Sequence, residues 1–235
     1  MDSEIKQYNY TYQSTIEFDK FIRKNLLKSN TIIDAGCGKG GTLSHYVRKY
    51  KHINAFGLDY RKENIDISKY YFKKYGLTSR AKFKKVNLLK KINSKDLKSP
   101  DGIISEKAFC TFKNIEKPLG NLIDLKPKWL AINSLFYDGK MDVLIHIRDR
   151  GSKFVDLKDD NPDGDFNIFS LENIKNFLKK KKYKITKVKP FFPKKEIKKI
   201  GKNRGTFTIN TELNKFTCFS GPVYLPWQFI LIEKI

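Results

Sequence analysis

Two carboxylates and a glycine cluster have the types and spacing to do chemistry. Asp34 stands two residues before Gly36 in Asp34-Ala35-Gly36-Cys37-Gly38-Lys39-Gly40-Gly41, and Asp59 closes the next apolar run, Asn54-Ala55-Phe56-Gly57-Leu58-Asp59. Glycines let the main chain approach a ligand closely, and a helix that starts just after them offers unpaired N–H groups to a polar or anionic group. A carboxylate such as Asp59 can accept from two adjacent hydroxyls, as a ribose presents them. Gly36, Gly38 and Gly41 satisfy G-x-G-x-x-G, the spacing of a dinucleotide-binding turn. Gly36, Gly38 and Gly40, led by Asp34, satisfy the looser D/E-x-G-x-G-x-G. At this point both readings are open.

The flanking residues supply the elements such a loop needs. An apolar run from Thr31 to Ile33 precedes it, and Leu43, Tyr46, Val47 and Tyr50 follow at i, i+3, i+4 and i+7, the spacing of a helix with one buried face. Further strands are expected at 54–59, 81–86, 102–105 and 129–135, with helices at about 62–75 and 114–125. This alternation of strand and helix argues a parallel α/β sheet. A helix at 170–181 with Ser170 as its N-cap, a strand at 183–188 and a long apolar strand from Trp227 to Ile235 complete the pattern. Upstream, Ser14-Thr15-Ile16-Glu17 fits a capping box opening a helix over 15–28.

The loop Asp34-Ala35-Gly36-Cys37-Gly38-Lys39-Gly40-Gly41 resembles the first motif of class I S-adenosylmethionine (SAM)-dependent methyltransferases. The closing strand agrees, because that fold inserts an antiparallel last strand that dinucleotide domains generally lack. The resemblance implies an α/β Rossmann-like fold with a seven-stranded, mostly parallel sheet, and SAM as cofactor with S-adenosylhomocysteine as product. It implies that Asp34, Gly36, Cys37, Gly38 and Gly40 hold the methionine end, that Asp59 takes the ribose, and that Tyr60 and Asn87 contact the adenine. The end of the fourth strand faces the transferred methyl in that family, which makes Glu106 a cofactor and catalytic candidate and Phe109 a substrate contact. The N-terminal segment, residues 1–28 with Tyr10 and Tyr12, corresponds to a lid over cofactor and substrate. Later segments are similar to a group of bacterial methyltransferases associated with surface-polysaccharide genes.

Two stretches exceed that minimal fold. Met141 to Arg150 alternates, placing His146, Arg148 and Arg150 on one face, and 205–210 with 215–220 reads as a hairpin. Residues 138–165 and 201–222 are therefore expected as insertions forming one small antiparallel β cap on a single domain spanning 1–235. His146, Glu106 and Tyr137 are the candidates for proton transfer or other catalytic contact. Arg148 and Arg150 suit a phosphate or carboxylate, which points to a small anionic acceptor: a phosphorylated, nucleotide-linked or sugar-derived metabolite.

Composition bounds the alternatives. The net charge of +23 favours nucleic acid as a partner, which keeps an RNA methyltransferase as the competing reading. Lys far outnumbers Arg among the 48 basic residues, however, a bias that an AT-rich genome produces without selection for binding, and no RNA-binding module is recognisable. A catalytically silent SAM-fold partner protein is the third reading. Three widely spaced cysteines fit neither a disulfide framework nor a metal site, and no apolar run suits a signal peptide or membrane span. A cytoplasmic protein without a metal is the expectation.

Overall fold

The computed structural model describes residues 3–92, 97, 99–146, 165–198, 206–210, 216–220, 223 and 225–235. In chain order its elements are α1 (Ser3–Lys6), α2 (Gln13–Leu26), β1 (Thr31–Ala35), α3 (Gly41–Lys49), β2 (Asn54–Asp59), α4 (Lys62–Lys74), β3 (Ala81–Lys85), β4 (Gly102–Glu106), α5 (Glu116–Ile123), β5 (Trp129–Ser134), β6 (Phe136–Tyr137), β7 (Phe169–Ser170), α6 (Leu171–Lys180), β8 (Tyr183–Pro190), β9 (Thr206–Asn210), β10 (Phe216–Ser220) and β11 (Gln228–Lys234). Seven strands form one sheet in the order β3-β2-β1-β4-β5-β11-β8. The first five are parallel, and β11 runs antiparallel to both β5 and β8. The expected seven-stranded fold with an antiparallel last strand is therefore present.

Alternation along the central strands feeds two cores. Ile32, Ile104, Ala131 and Leu231 pack with Phe18, Ile22, Leu43, Val47 and Phe72 from α2, α3 and α4 on one face of the sheet. Ile33, Ile103, Leu130 and Ile232 pack with Leu119, Leu122, Ile174 and Leu178 from α5 and α6 on the other. Strands covered on both sides read as continuous apolar runs, which is why 129–134 is buried throughout. The chain order reverses between β1 and β4, so the carboxyl ends of these neighbouring strands open a crevice at the switch point.

Two local expectations change. Helix α2 starts at Gln13 with Tyr12 as an N-cap that makes no side-chain bond, so Ser14 does not cap it; Ser14 is buried and Glu17 instead meets Lys20 and Lys189. Residues 141–146 make only isolated bridges, Val143 to Ile168 and His146 to Asp165, rather than a continuous strand. Asp142 turns aside there to accept from the Ser170 N–H at 2.7 Å. The hairpin β9–β10 forms a two-stranded antiparallel sheet of its own. Ser170 does cap α6, accepting from the Asn173 N–H at 3.0 Å.

Candidate functional site

The glycine loop joins β1 to α3 through left-handed backbone at Gly36, Gly38 and Gly40. Gly36 must be a glycine twice over: its φ is +79°, and a Cβ there would lie 2.4 Å from that of Ala108. At Gly40, the N-cap of α3, a Cβ would lie 2.8 Å from the Tyr8 hydroxyl. Four of the loop's amides are already engaged. Gly36 and Cys37 N–H donate to the Leu58 carbonyl, Gly38 N–H to Asp59 Oδ2 and Gly40 N–H to the Cys37 carbonyl. Those four N–H groups are therefore not free for an anion, while Gly41 and Thr42 in the first turn of α3 line the adjoining cavity.

What the loop faces is negative. Side chains two apart on a strand share a face, so Asp59, Asp34 and Glu106 extend the α2–α3 side of β2, β1 and β4 and form a row along the sheet's carboxyl edge. Asp59 is the best supported, accepting from Gly38 N–H at 3.0 Å, Arg61 N–H at 2.9 Å and Asn64 Nδ2 at 3.1 Å. Asp34 is 1% exposed and, among the described residues, its Oδ2 has no hydrogen-bond partner. Burial, then repulsion from Glu106 and Asp59, pushes its carboxyl well above the usual range. Glu106 accepts from Thr15 Oγ1 and Tyr46 OH, each at 3.1 Å, and burial raises its pKa also. Directly after it, Lys107 adopts φ 63°, a left-handed conformation costing about 1–2 kcal/mol for a residue with a Cβ. Such strain is retained where it positions neighbours.

Asp34, Asp59 and Glu106 all line one cavity of about 1520 Å³. Ligand pockets usually measure ~300–1,000 Å³, so there is room for a cofactor and a second molecule. Gly36, Cys37, Gly38, Tyr60 and Asn87 share that lining, and Tyr10 and Tyr12 close it from the N-terminal side. Asn87 folds back to accept from Leu89 N–H at 2.9 Å, while Tyr60 is half exposed with the Arg61 guanidinium 5.2 Å from its ring centre. The segment after β8 forms the opposite wall with Phe191, Ile197 and Lys198.

Other candidates lie elsewhere. Phe109 is fully buried in the core beneath α5, with its ring against Phe112, and it is Phe112 that lines the cavity. Gly40 is withdrawn beneath Tyr8 rather than lining the space. Tyr137 is turned outward, 43% exposed over Gly139, because it sits on the solvent side of the two-residue strand β6. His146 is also outside the lining, exposed with Nδ1 3.4 Å from Asp165, although Asp165 itself does line the cavity. Arg148 and Arg150, and most of 138–165, lie outside the described residues, as does part of 201–222.

Several contributors had no clear signal in the sequence. Tyr46 fits the apolar stripe of α3, and only the fold turns its hydroxyl onto Glu106. Asn64 braces Asp59 from one turn into α4. Gln13 bridges the cavity roof, taking Lys194 and Lys195 N–H at 3.1 and 3.2 Å and donating to the Lys195 carbonyl. Lys113, ahead of α5, and Lys117, in its first turn, add cations to the lining.

The chemistry of these donors fits SAM. Its sulfonium and ammonium carry positive charge toward a carboxylate row with an unpartnered oxygen, and its ribose suits Asp59. A nicotinamide dinucleotide would instead bring two phosphates to the carboxylate row. The family comparison agrees: a model described as a methyltransferase domain matches residues 26–215. No curated protein sequence matches the chain. Among solved structures the fold is similar to an O-methyltransferase from a trans-AT PKS multienzyme of Brevibacillus brevis in complex with S-adenosylhomocysteine (TM-score 0.57, 15% identity, 75% of this chain and 54% of that one). It is also similar to a Galdieria sulphuraria protein assigned as a sarcosine dimethylglycine methyltransferase (TM-score 0.59, 13%, 94% and 84%). A third is TehB from Haemophilus influenzae (TM-score 0.57, 14%, 98% and 65%). The chain thus spans about half the length of the first of these, and at such identities the likeness concerns the fold.

Proposed function

Because the chain belongs to the methyltransferase-domain family, whose cofactor is SAM, we propose that it transfers a methyl group to an oxygen or nitrogen of a small anionic metabolite. The observation that carries this reading is the row Asp59, Asp34 and Glu106 beside the glycine loop, a site electrostatically suited to a cationic cofactor. The cations Lys113, Lys117 and Lys198 on the remaining wall support an anionic acceptor, which we place among phosphorylated, nucleotide-linked or sugar-derived compounds such as surface-polysaccharide precursors.

SAM supplies an electrophilic methyl on a positively charged sulfur, so the transfer is an in-line displacement. The protein's task is to fix the two reactants about 3 Å apart and keep water out. Asp59 orients the ribose, and Asp34 faces the cofactor's positive charge. Tyr10 and Tyr12, with Phe191 and Ile197 opposite, shield the space. Glu106, at the end of β4, serves the cofactor side of the cavity. His146, 3.4 Å from Asp165, which lines the cavity, is the candidate to accept a proton from a hydroxyl or ammonium acceptor.

Methyl-labelled SAM incubated with the protein and a cell extract divided into small-molecule and RNA fractions tests the proposal. Label should enter an anion-exchange-retained small molecule. Label in RNA would replace this reading with its competitor, and no label in either would favour the silent partner.

A further inference from the structure

Glu106 differs from its neighbours in the row. Among the described contacts, its two oxygens are each held by a hydroxyl from a different helix, Thr15 of α2 at Oε2 and Tyr46 of α3 at Oε1, both at 3.1 Å. Both donors are buried, Thr15 at 2% and Tyr46 at 0% exposure. A carboxylate oxygen can accept more than one bond, so the hydroxyls orient the group without saturating it, and it still lines the cavity. The surrounding charges are Asp34 on β1, Asp59 on β2, Lys107 after β4, His45 on α3 and Asp19 on α2.

We propose that Thr15 and Tyr46 are positioning residues that present Glu106 to the α-ammonium group of the cofactor's methionine end. The ammonium would donate to the Glu106 carboxylate, a charged group that Asp59's ribose role leaves without a partner. This inference rests on the SAM reading above. It assigns to α2 a part in cofactor recognition that acts through Glu106. The hydroxyls favour the ionised form of Glu106, whereas burial and Asp34 oppose it. Removing either hydroxyl should therefore raise the pH at which Glu106 loses its charge.

The test is calorimetric titration of SAM and of 5′-methylthioadenosine, which has no amino-acid end, between pH 5.5 and 8.5. Glu106→Gln should weaken SAM about tenfold or more and leave methylthioadenosine unchanged. Wild-type affinity for SAM should fall as pH drops. Tyr46→Phe and Thr15→Val should move the midpoint of that fall upward by about one pH unit, and Thr15→Ser should restore it. Equal weakening of both ligands by Glu106→Gln, or an unmoved midpoint in Tyr46→Phe and Thr15→Val, overturns the inference. If folded wild-type protein binds neither ligand, it is the cofactor reading that has failed.

Discussion

Asp34 illustrates a residue kept at a cost to the fold. A carboxyl 1% exposed with an unpartnered oxygen is expensive to bury, and its raised pKa records that expense. Asp34→Asn should therefore raise ligand-free stability by about 1 kcal/mol, or roughly 2–4 °C in Tm, while weakening SAM binding. Thermal unfolding with and without SAM checks it; a lower ligand-free Tm would show that Asp34 is structural. Gly36→Ala has the opposite character, since the left-handed φ and the 2.4 Å approach to Ala108 should cost about 2 kcal/mol or more, read by denaturant unfolding. Asp34, Asp59 and the glycines were legible because backbone geometry and adjacent hydroxyls restrict the residue type. Thr15 and Tyr46 were not, because a hydroxyl on an apolar helix face looks like packing until the neighbouring strand is in place.

Among the elements, α2 does more than its periodicity announced. Its first turn carries Gln13, bound to the main chain of Lys194 and Lys195, and Thr15, bound to Glu106, while Asp19 joins it to α3 through His45, Lys49 and Tyr50. The capping-box spacing of Ser14 and Glu17 misplaced the start because tertiary partners, rather than the local cap, determine where the chain turns. Gln13→Ala should loosen the 191–198 wall, seen as faster hydrogen exchange there, with SAM affinity little changed; unchanged exchange would deny Gln13 its bridging part. Asp19, 0% exposed, is held at a pKa of about 2 against an ordinary 3.8: burial alone would raise it, and the hydrogen bonds from His45, Lys49 and Tyr50 overcome that. A depressed folded pKa stabilises above the unfolded value and is lost as pH falls through the folded one. Its contribution, about 2 kcal/mol, should therefore disappear between about pH 4 and pH 2, and Asp19→Asn should flatten that part of the stability profile. The alternating pattern at 141–146 was misleading in a similar way, since Asp142 serves the start of α6 and interrupts the pairing.

At the scale of the molecule, the strand-helix alternation and the apolar end from Trp227 to Ile235 were enough to foresee a parallel sheet closed by an antiparallel strand. The pairing order places β1 beside β4, and this juxtaposition, which no local spacing encodes, makes one acidic row from residues 34, 59 and 106. Among the described residues no helix is long and apolar enough to cross a membrane. The net charge is +23, yet the cavity gathers three carboxylates, Asp34, Asp59 and Glu106, along one sheet edge. The central claim is that this row binds SAM. Calorimetric titration of SAM into wild type, Asp34→Ala and Asp59→Ala tests it most directly. A saturable wild-type isotherm that weakens about tenfold or more in each variant is the predicted result; equal affinity in all three proteins would contradict it.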